Sequence, residues 1–272
     1  MKNKSKNLIK VLVGILISLV ILTTSIFIYD RVTVNNEYSI GEKNLDIPVF
    51  VYHNIVSDES EISYDYMQTT KDTFEKQIKG LKDVGYDFIT YEKLQKYQNN
   101  EIKLKKKSCI VTFDDGLRGV YENAYPIAKK YNIPFTMFVV IDSVETGGCI
   151  TWDEAKEMQD SGLVTIASHS MDHPDFSKLA VDEAVKNVNE SYSIIEEKLG
   201  EQKVKIFTYP YGLYTDEELN ELKEEGYIQN LTDNKINKSK NLNLYGLHRC
   251  YPLSDSIYKM LLKIHYRSIR YN

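Results

Sequence analysis

Ser108-Cys109-Ile110-Val111-Thr112-Phe113-Asp114-Asp115-Gly116 reads as a buried strand that delivers two adjacent carboxylates to the rim of a sheet. The apolar run Cys109-Ile110-Val111 ends at the acids, and Gly116 starts a turn at once. Burying two neighbouring carboxylates costs several kcal/mol unless a cation or hydrogen bonds offset it. The chain therefore has a use for both. A second segment, Ser168-His169-Ser170-Met171-Asp172-His173-Pro174, holds groups that could complete such a site.

Outward from this strand, strands and helices alternate. Upstream, Ile47 to His53 reads as a strand ending in a polar residue, and Asp72 to Val84 as a helix closed by Gly85. A short strand over 86–89 and a short helix over 91–97 follow. Downstream, 121–131 is helical, 135–140 a strand, and Thr151 with Glu154 forms a capping box that opens a helix to about Asp160. Strand 163–168, the long helix 181–199 and strand 204–208 come next. A second capping box, Thr215 with Glu218, opens a helix that Gly226 ends. Strands at 227–231 and 245–251 and a last helix over 255–269 complete the pattern.

This alternation predicts an α/β fold with a mostly parallel sheet and helices outside. Seven or eight such units point to a distorted (β/α) barrel, whose reactive groups lie at the C-terminal ends of the strands. His53, Asp114, Asp115, His169 and the turn Tyr209-Pro210-Tyr211-Gly212 all fall there.

The N-terminus stands apart. Residues 1–10 form a basic tail, with Lys2, Lys4, Lys6 and Lys10, and 11–29 is an uncharged apolar run. At helical rise that run spans roughly 28 Å, close to the hydrocarbon thickness of a bilayer. The flanking lysines predict a cytoplasmic N-terminus and an exported domain, with 11–29 as an uncleaved transmembrane signal anchor or, alternatively, a cleaved signal peptide. Residues 30–46 are polar and aperiodic, hence a linker, and 47–272 is one catalytic domain. The net charge of −5 gives no argument for a nucleic-acid partner. The 21 tyrosines suit sugar stacking as well as core packing. Three cysteines form no disulfide framework, although a Cys149–Cys250 bridge stays open.

Asp115, His169 and His173 make a two-histidine, one-carboxylate set, which leaves positions open on a metal for water and substrate. Pro174 disfavours helix at His173, so the histidines belong on a loop after a strand. Asp114 is then free to act as a general base on water; a second ligand or a turn cap is the alternative. His53 ends the first strand and is either a core histidine or part of the site. The Tyr211 N–H is a candidate oxyanion donor, although Pro-Tyr-Gly is also an ordinary turn. Trp152 and His248 read as structural, His265 as a surface residue, and 234–241 as a solvated loop. No HExxH helix supports a metallopeptidase.

Thr112-Phe113-Asp114-Asp115-Gly116, His169-Ser170-x-x-His173-Pro174 and Tyr209-Pro210-Tyr211-Gly212 resemble the motifs of polysaccharide deacetylases with a NodB homology domain, carbohydrate esterase family 4. The resemblance covers most of the chain from about Ile47. It implies Asp114 as base, Asp115, His169 and His173 as ligands of a zinc-like divalent ion, and the Tyr211 N–H as oxyanion donor. The arginine usual before the third motif is missing, since Lys205-Ile206-Phe207-Thr208 stand there, and Arg249 could replace it beside Asp114. The late Leu-x-His motif of the catalytic acid has no match either. Val51-Tyr52-His53-Asn54 instead resembles its N-terminal version in the circularly permuted branch that acts on poly-N-acetylglucosamine in biofilms, which implies His53 as general acid. The expected function is metal-dependent removal of N-acetyl groups from an extracellular N-acetylglucosamine polymer. Peptidoglycan is the alternative substrate, and a non-catalytic wall-binding barrel is the alternative class.

Overall fold

The structure is a computed structural model that describes residues 12–18, 21, 34–62, 67–252 and 254–270. Eight strands build its main sheet: β1 (Val49–Tyr52), β2 (Asp87–Phe88), β3 (Ser108–Phe113), β4 (Phe135–Val139), β5 (Val164–Ser168), β6 (Ile206–Thr208), β7 (Ile228–Leu231) and β8 (Leu247–His248). Among the described residues, seven helices surround it: α1 (Lys71–Asp83), α2 (Tyr91–Gln98), α3 (Tyr125–Tyr131), α4 (Trp152–Asp160), α5 (Val181–Leu199), α6 (Asp216–Glu224) and α7 (Ile257–Arg270).

All neighbouring strands of this sheet run parallel, in the order β8-β7-β6-β5-β4-β3-β1, with β2 beside the start of β3. Just past β8, Cys250 bridges back to Phe50, with Val51 N–H donating to the Cys250 carbonyl and Cys250 N–H to that of Val49. Seven staves therefore make a nearly closed barrel, as the alternation predicts, and β2 is a short flank. The interior holds Ile47, Val49, Ile110, Phe138, Ala167, Ile206, Ile228 and Leu247, with Tyr91, Leu94 and Tyr97 of α2 joining the same cluster. Each of these side chains is at most 2 % exposed, so the barrel is filled rather than hollow.

Both expected capping boxes are present: Thr151 with Glu154 opens α4 and Thr215 with Glu218 opens α6. Four stretches differ from expectation. In the loop expected to run to about Thr70, Asn54–Val56 pairs with Gln68–Thr70, and the strand expected over 245–251 is only Leu247–His248, because Leu244–Gly246 forms a 3-10 turn. Within 30–46, Glu37–Tyr38 pairs with Leu104–Lys105, Asp46–Ile47 pairs with Asn237–Lys238, and Leu45 is buried. The same pairing turns part of 234–241 from a solvated loop into structure, with Asn237 and Ser239 buried and Asn237 Nδ2 donating to the Ile47 carbonyl. Polar side chains hid both contacts, because their amides and hydroxyls satisfy backbone groups rather than face water.

No helix among the described residues is long and apolar enough to cross a membrane. Most of the expected anchor, 11–29, lies outside the described residues. All three cysteines are buried and free, so the Cys149–Cys250 bridge is not made.

Candidate active site and metal centre

Strand register assembles the site. Tyr52 pairs with Phe113, so His53 and Asp114 emerge side by side at the same rim. Ser168 pairs with Val139 and Leu231 with His248, so His169 leaves the end of β5, and Thr232 and Arg249 leave β7 and β8 together. On β3, Ile110 faces the interior while Val111 and Phe113 face the outer helices. Asp114 continues the inward row. Asp115 would point out, but its φ of 71° breaks the alternation. Gly116, at φ 69°, lets the chain pass close to Val139, where a Cβ would sit 3.3 Å from a methyl.

Asp115 Oδ1 lies 3.4 Å from His169 Nε2 and 3.5 Å from His173 Nε2. In a tetrahedral site with bonds of about 2.0–2.1 Å, ligand atoms stand roughly 3.4 Å apart, so the spacing of Asp115 from each imidazole suits a zinc-sized ion. The three ligand atoms form the one such cluster among the described residues. His169 Nδ1 donates to the Thr208 carbonyl at 2.8 Å. A carbonyl can only accept, so whenever the His169 ring is neutral its lone pair lies on Nε2, the atom nearest Asp115 and the one available to an ion. The loop between the histidines is tied down: Ser170 Oγ accepts from His173 N–H, and Asn187 of α5 bonds Met171 N–H and Asp172.

Asp114 is buried and held by Arg249, whose two terminal nitrogens donate to its two oxygens at 2.7 and 2.8 Å. Burial alone would raise the Asp114 pKa. The Arg249 charge, His169, the paired hydrogen bonds and His53 outweigh burial and bring it down to about 2. Asp115 is also lowered, with burial opposed by hydrogen bonding and charge from His169. Arg249 itself is fixed by Thr232 Oγ1 at 2.8 Å and by the Phe138 ring beneath its guanidinium.

His53 Nε2 lies 4.0 Å from Asp114 Oδ2, and its ring is parallel to that of Tyr251. Burial, then the Arg249 and His169 charges, lower its pKa against the raising effect of the two aspartates. Tyr211 stands edge-on to His173 with centroids 4.5 Å apart, and its side chain is exposed. Its backbone is left-handed, at φ 57°, and Gly212 after it packs on Thr232. Among the described residues, Asp115, Ser170, His173 and Tyr211 are four of the eight non-glycine residues with positive φ; the others are three asparagines and Glu145. Strain that asparagine would relieve is thus gathered on this rim.

Every expected site residue is therefore in one place: His53, Asp114, Asp115, His169, His173, Tyr211 and Arg249. Sequence reading missed Thr232, which touches both Arg249 and the Tyr211-Gly212 turn, and the Thr208 carbonyl; neither has a local signature. Trp152 packs against the outer core cluster, and His248 pairs with Asp233 at 2.9 Å. His265 is exposed on α7.

A family model described as polysaccharide deacetylase matches residues 101–229. That span contains Asp114, Asp115, His169, His173 and Tyr211 but neither His53 nor Arg249. The poly-beta-1,6-N-acetyl-D-glucosamine N-deacetylase of Staphylococcus aureus (strain MRSA252) is 32% identical over 203 residues, covering 70% of this chain and 69% of the relative. Among solved structures, the deacetylase PplD of Streptococcus pyogenes, in complex with acetate, superposes with a TM-score of 0.74 at 27% identity, covering 82% of this chain and 99% of that one. IcaB of Ammonifex degensii superposes with a TM-score of 0.71 at 25% identity, over 80% and 97% of the two chains.

Proposed function

We propose that this chain, which belongs to the polysaccharide deacetylase family and is a polysaccharide deacetylase, removes N-acetyl groups from an extracellular poly-beta-1,6-N-acetylglucosamine. The observation that carries the reading is the unlike pair at the end of β3. Asp115 joins two imidazoles, while Asp114, one residue away, is turned from them and clamped by Arg249. One acid is thereby suited to hold an ion and the other to move a proton.

Asp115, His169 and His173 would hold a divalent ion, Zn2+ by the donor set, whose Lewis acidity activates water and polarises the acetyl carbonyl. Asp114 accepts the proton of the attacking water. Its low pKa keeps it ionised at neutral pH, and Arg249 keeps its oxygens oriented. The Tyr211 N–H donates to the oxyanion as the acetyl carbon becomes tetrahedral. His53 gives a proton to the departing amine; with its pKa lowered, it is a stronger acid than free imidazole once protonated. The products are acetate and a glucosamine unit.

Two features support this polymer: the similarity to the staphylococcal relative, and His53 on the first stave rather than near the C-terminus. The domain would stand outside the cell membrane, tethered by 11–29, with the open rim facing the polymer. Acetate release measured side by side on poly-beta-1,6-N-acetylglucosamine and purified peptidoglycan, each with and without chelator, tests the proposal. Chelator-sensitive release from the first and little from the second is expected. The reverse preference would assign peptidoglycan instead.

A further inference from the structure

The C-terminal helix α7 has two apolar faces. Its inner face, with Met260 and Ile264 buried and Ile257 and Leu261 half-buried, packs on the outer core cluster. Its outer face exposes Tyr258, Leu262, Tyr266 and Ile269, each 60 % or more open to solvent. These fall at i, i+4, i+8 and i+11, so they form one stripe along the helix. Lys259, Lys263, Arg267 and Arg270 each follow a stripe residue by one position, which sets a row of cations beside the stripe. The helix has no Asp or Glu, although the whole chain carries a net charge of −5. The nearest carboxylate partner, Asp255, precedes the helix and pairs with Lys259 and Lys263.

We propose that the outer face of α7 docks against an anionic lipid bilayer. Apolar side chains with tyrosines along one face and Lys and Arg alongside are what an interfacial helix needs: the stripe enters the headgroup boundary and the cations meet acidic lipid. The path of the chain favours a membrane over other occupants. Val34, near the start of the described domain, packs on Gly85 at the end of α1, and Ile257 of α7 packs on Gly80 of the same helix. Only residues 30–33 lie between Val34 and the apolar run 11–29. Five steps of even fully extended chain reach roughly 17 Å. If that run spans a bilayer, α7 sits beside the point of attachment, and a second contact would hold the barrel in a set orientation rather than leave it swinging on a tether. A chain of net charge −5 is repelled by an acidic surface except where such a basic face turns toward it.

The test uses the full chain reconstituted in vesicles of phosphatidylcholine alone or mixed with phosphatidylglycerol. L262C carries an environment-sensitive label, and the native cysteines are buried. A second label at T146C, on the exposed loop after β4, reports tethering alone. Brominated lipid should quench the label at 262 several-fold more in the acidic vesicles than in the neutral ones, and leave that at 146 unquenched. Hydrogen exchange of 257–270 should slow in the acidic vesicles, and L262E/I269E should abolish that protection while acetate release from a soluble oligomer stays unchanged. An unquenched label at 262 overturns the proposal, as does equal quenching in both vesicles. Protection that appears without lipid and grows with protein concentration would assign the face to a second copy of the chain and also overturn it.

Discussion

Arg249 and Asp114, 135 positions apart, meet in a two-pronged ion pair inside the barrel, with both oxygens of the acid engaged. The partners stand just past β8 and β3, the staves on either side of β1 once Cys250 bridges to Phe50, so the pair forms only in the closed barrel. Removing one member of a buried pair leaves an uncompensated charge and costs about 3–5 kcal/mol. R249M should lose stability of this order in urea unfolding. Its residual activity should also shift its acidic pH limb upward, because Asp114 loses the charge that keeps it ionised. R249K should recover part of the activity but not the two-pronged grip.

D115A and H169A should each lose the metal, by elemental analysis of protein purified without added ion. D114N should keep metal near one equivalent and lose turnover by at least about 100-fold, the scale of a general base. Retained stoichiometric metal in D115A would sink the ligand assignment.

H53A should slow acetate release from an amide far more than hydrolysis of an activated acetyl ester, whose leaving group needs no proton. Equal losses on both substrates would remove His53 from the acid role and leave it as a neighbour of Asp114.

Acid stability should report the same pair. The Asp114 pKa is depressed in the fold to about 2 from the ordinary carboxylate value near 3.8. A depressed carboxylate contributes stability that is present in full above its unfolded pKa and is lost as pH falls through the folded one. In metal-free protein, the unfolding free energy should therefore drop by roughly 2 kcal/mol between about pH 4 and pH 2 on account of this group. D114N, though less stable throughout, should show a flatter slope over that window. Identical slopes would mean that Asp114 is not held ionised by Arg249.

The site was readable in the sequence wherever its parts are local. Asp114 and Asp115 follow an apolar strand, His169 and His173 flank a short loop before a proline, and two capping boxes mark helix starts. Each is a matter of neighbouring residues, and backbone geometry translates such spacing directly into structure. The alternation of strands and helices likewise determined the parallel barrel, because a strand that feeds a helix must return beside its predecessor.

What only the tertiary structure decided is long in range. Barrel closure at Cys250 and Phe50 brings the last strand to the first and lets Arg249 reach Asp114. Register sets His53 4.0 Å from Asp114 and brings Thr232 onto Arg249. Polar stretches at 37–47 and 237–239 proved to be packed, because their hydrogen bonds are to distant backbone that no local pattern records. Pairing energy between such segments exists only once the chain has closed on itself, so the residues carry no periodicity to announce it. The two aspartates thus announce a site in sequence, and the division of labour between them is made by the barrel.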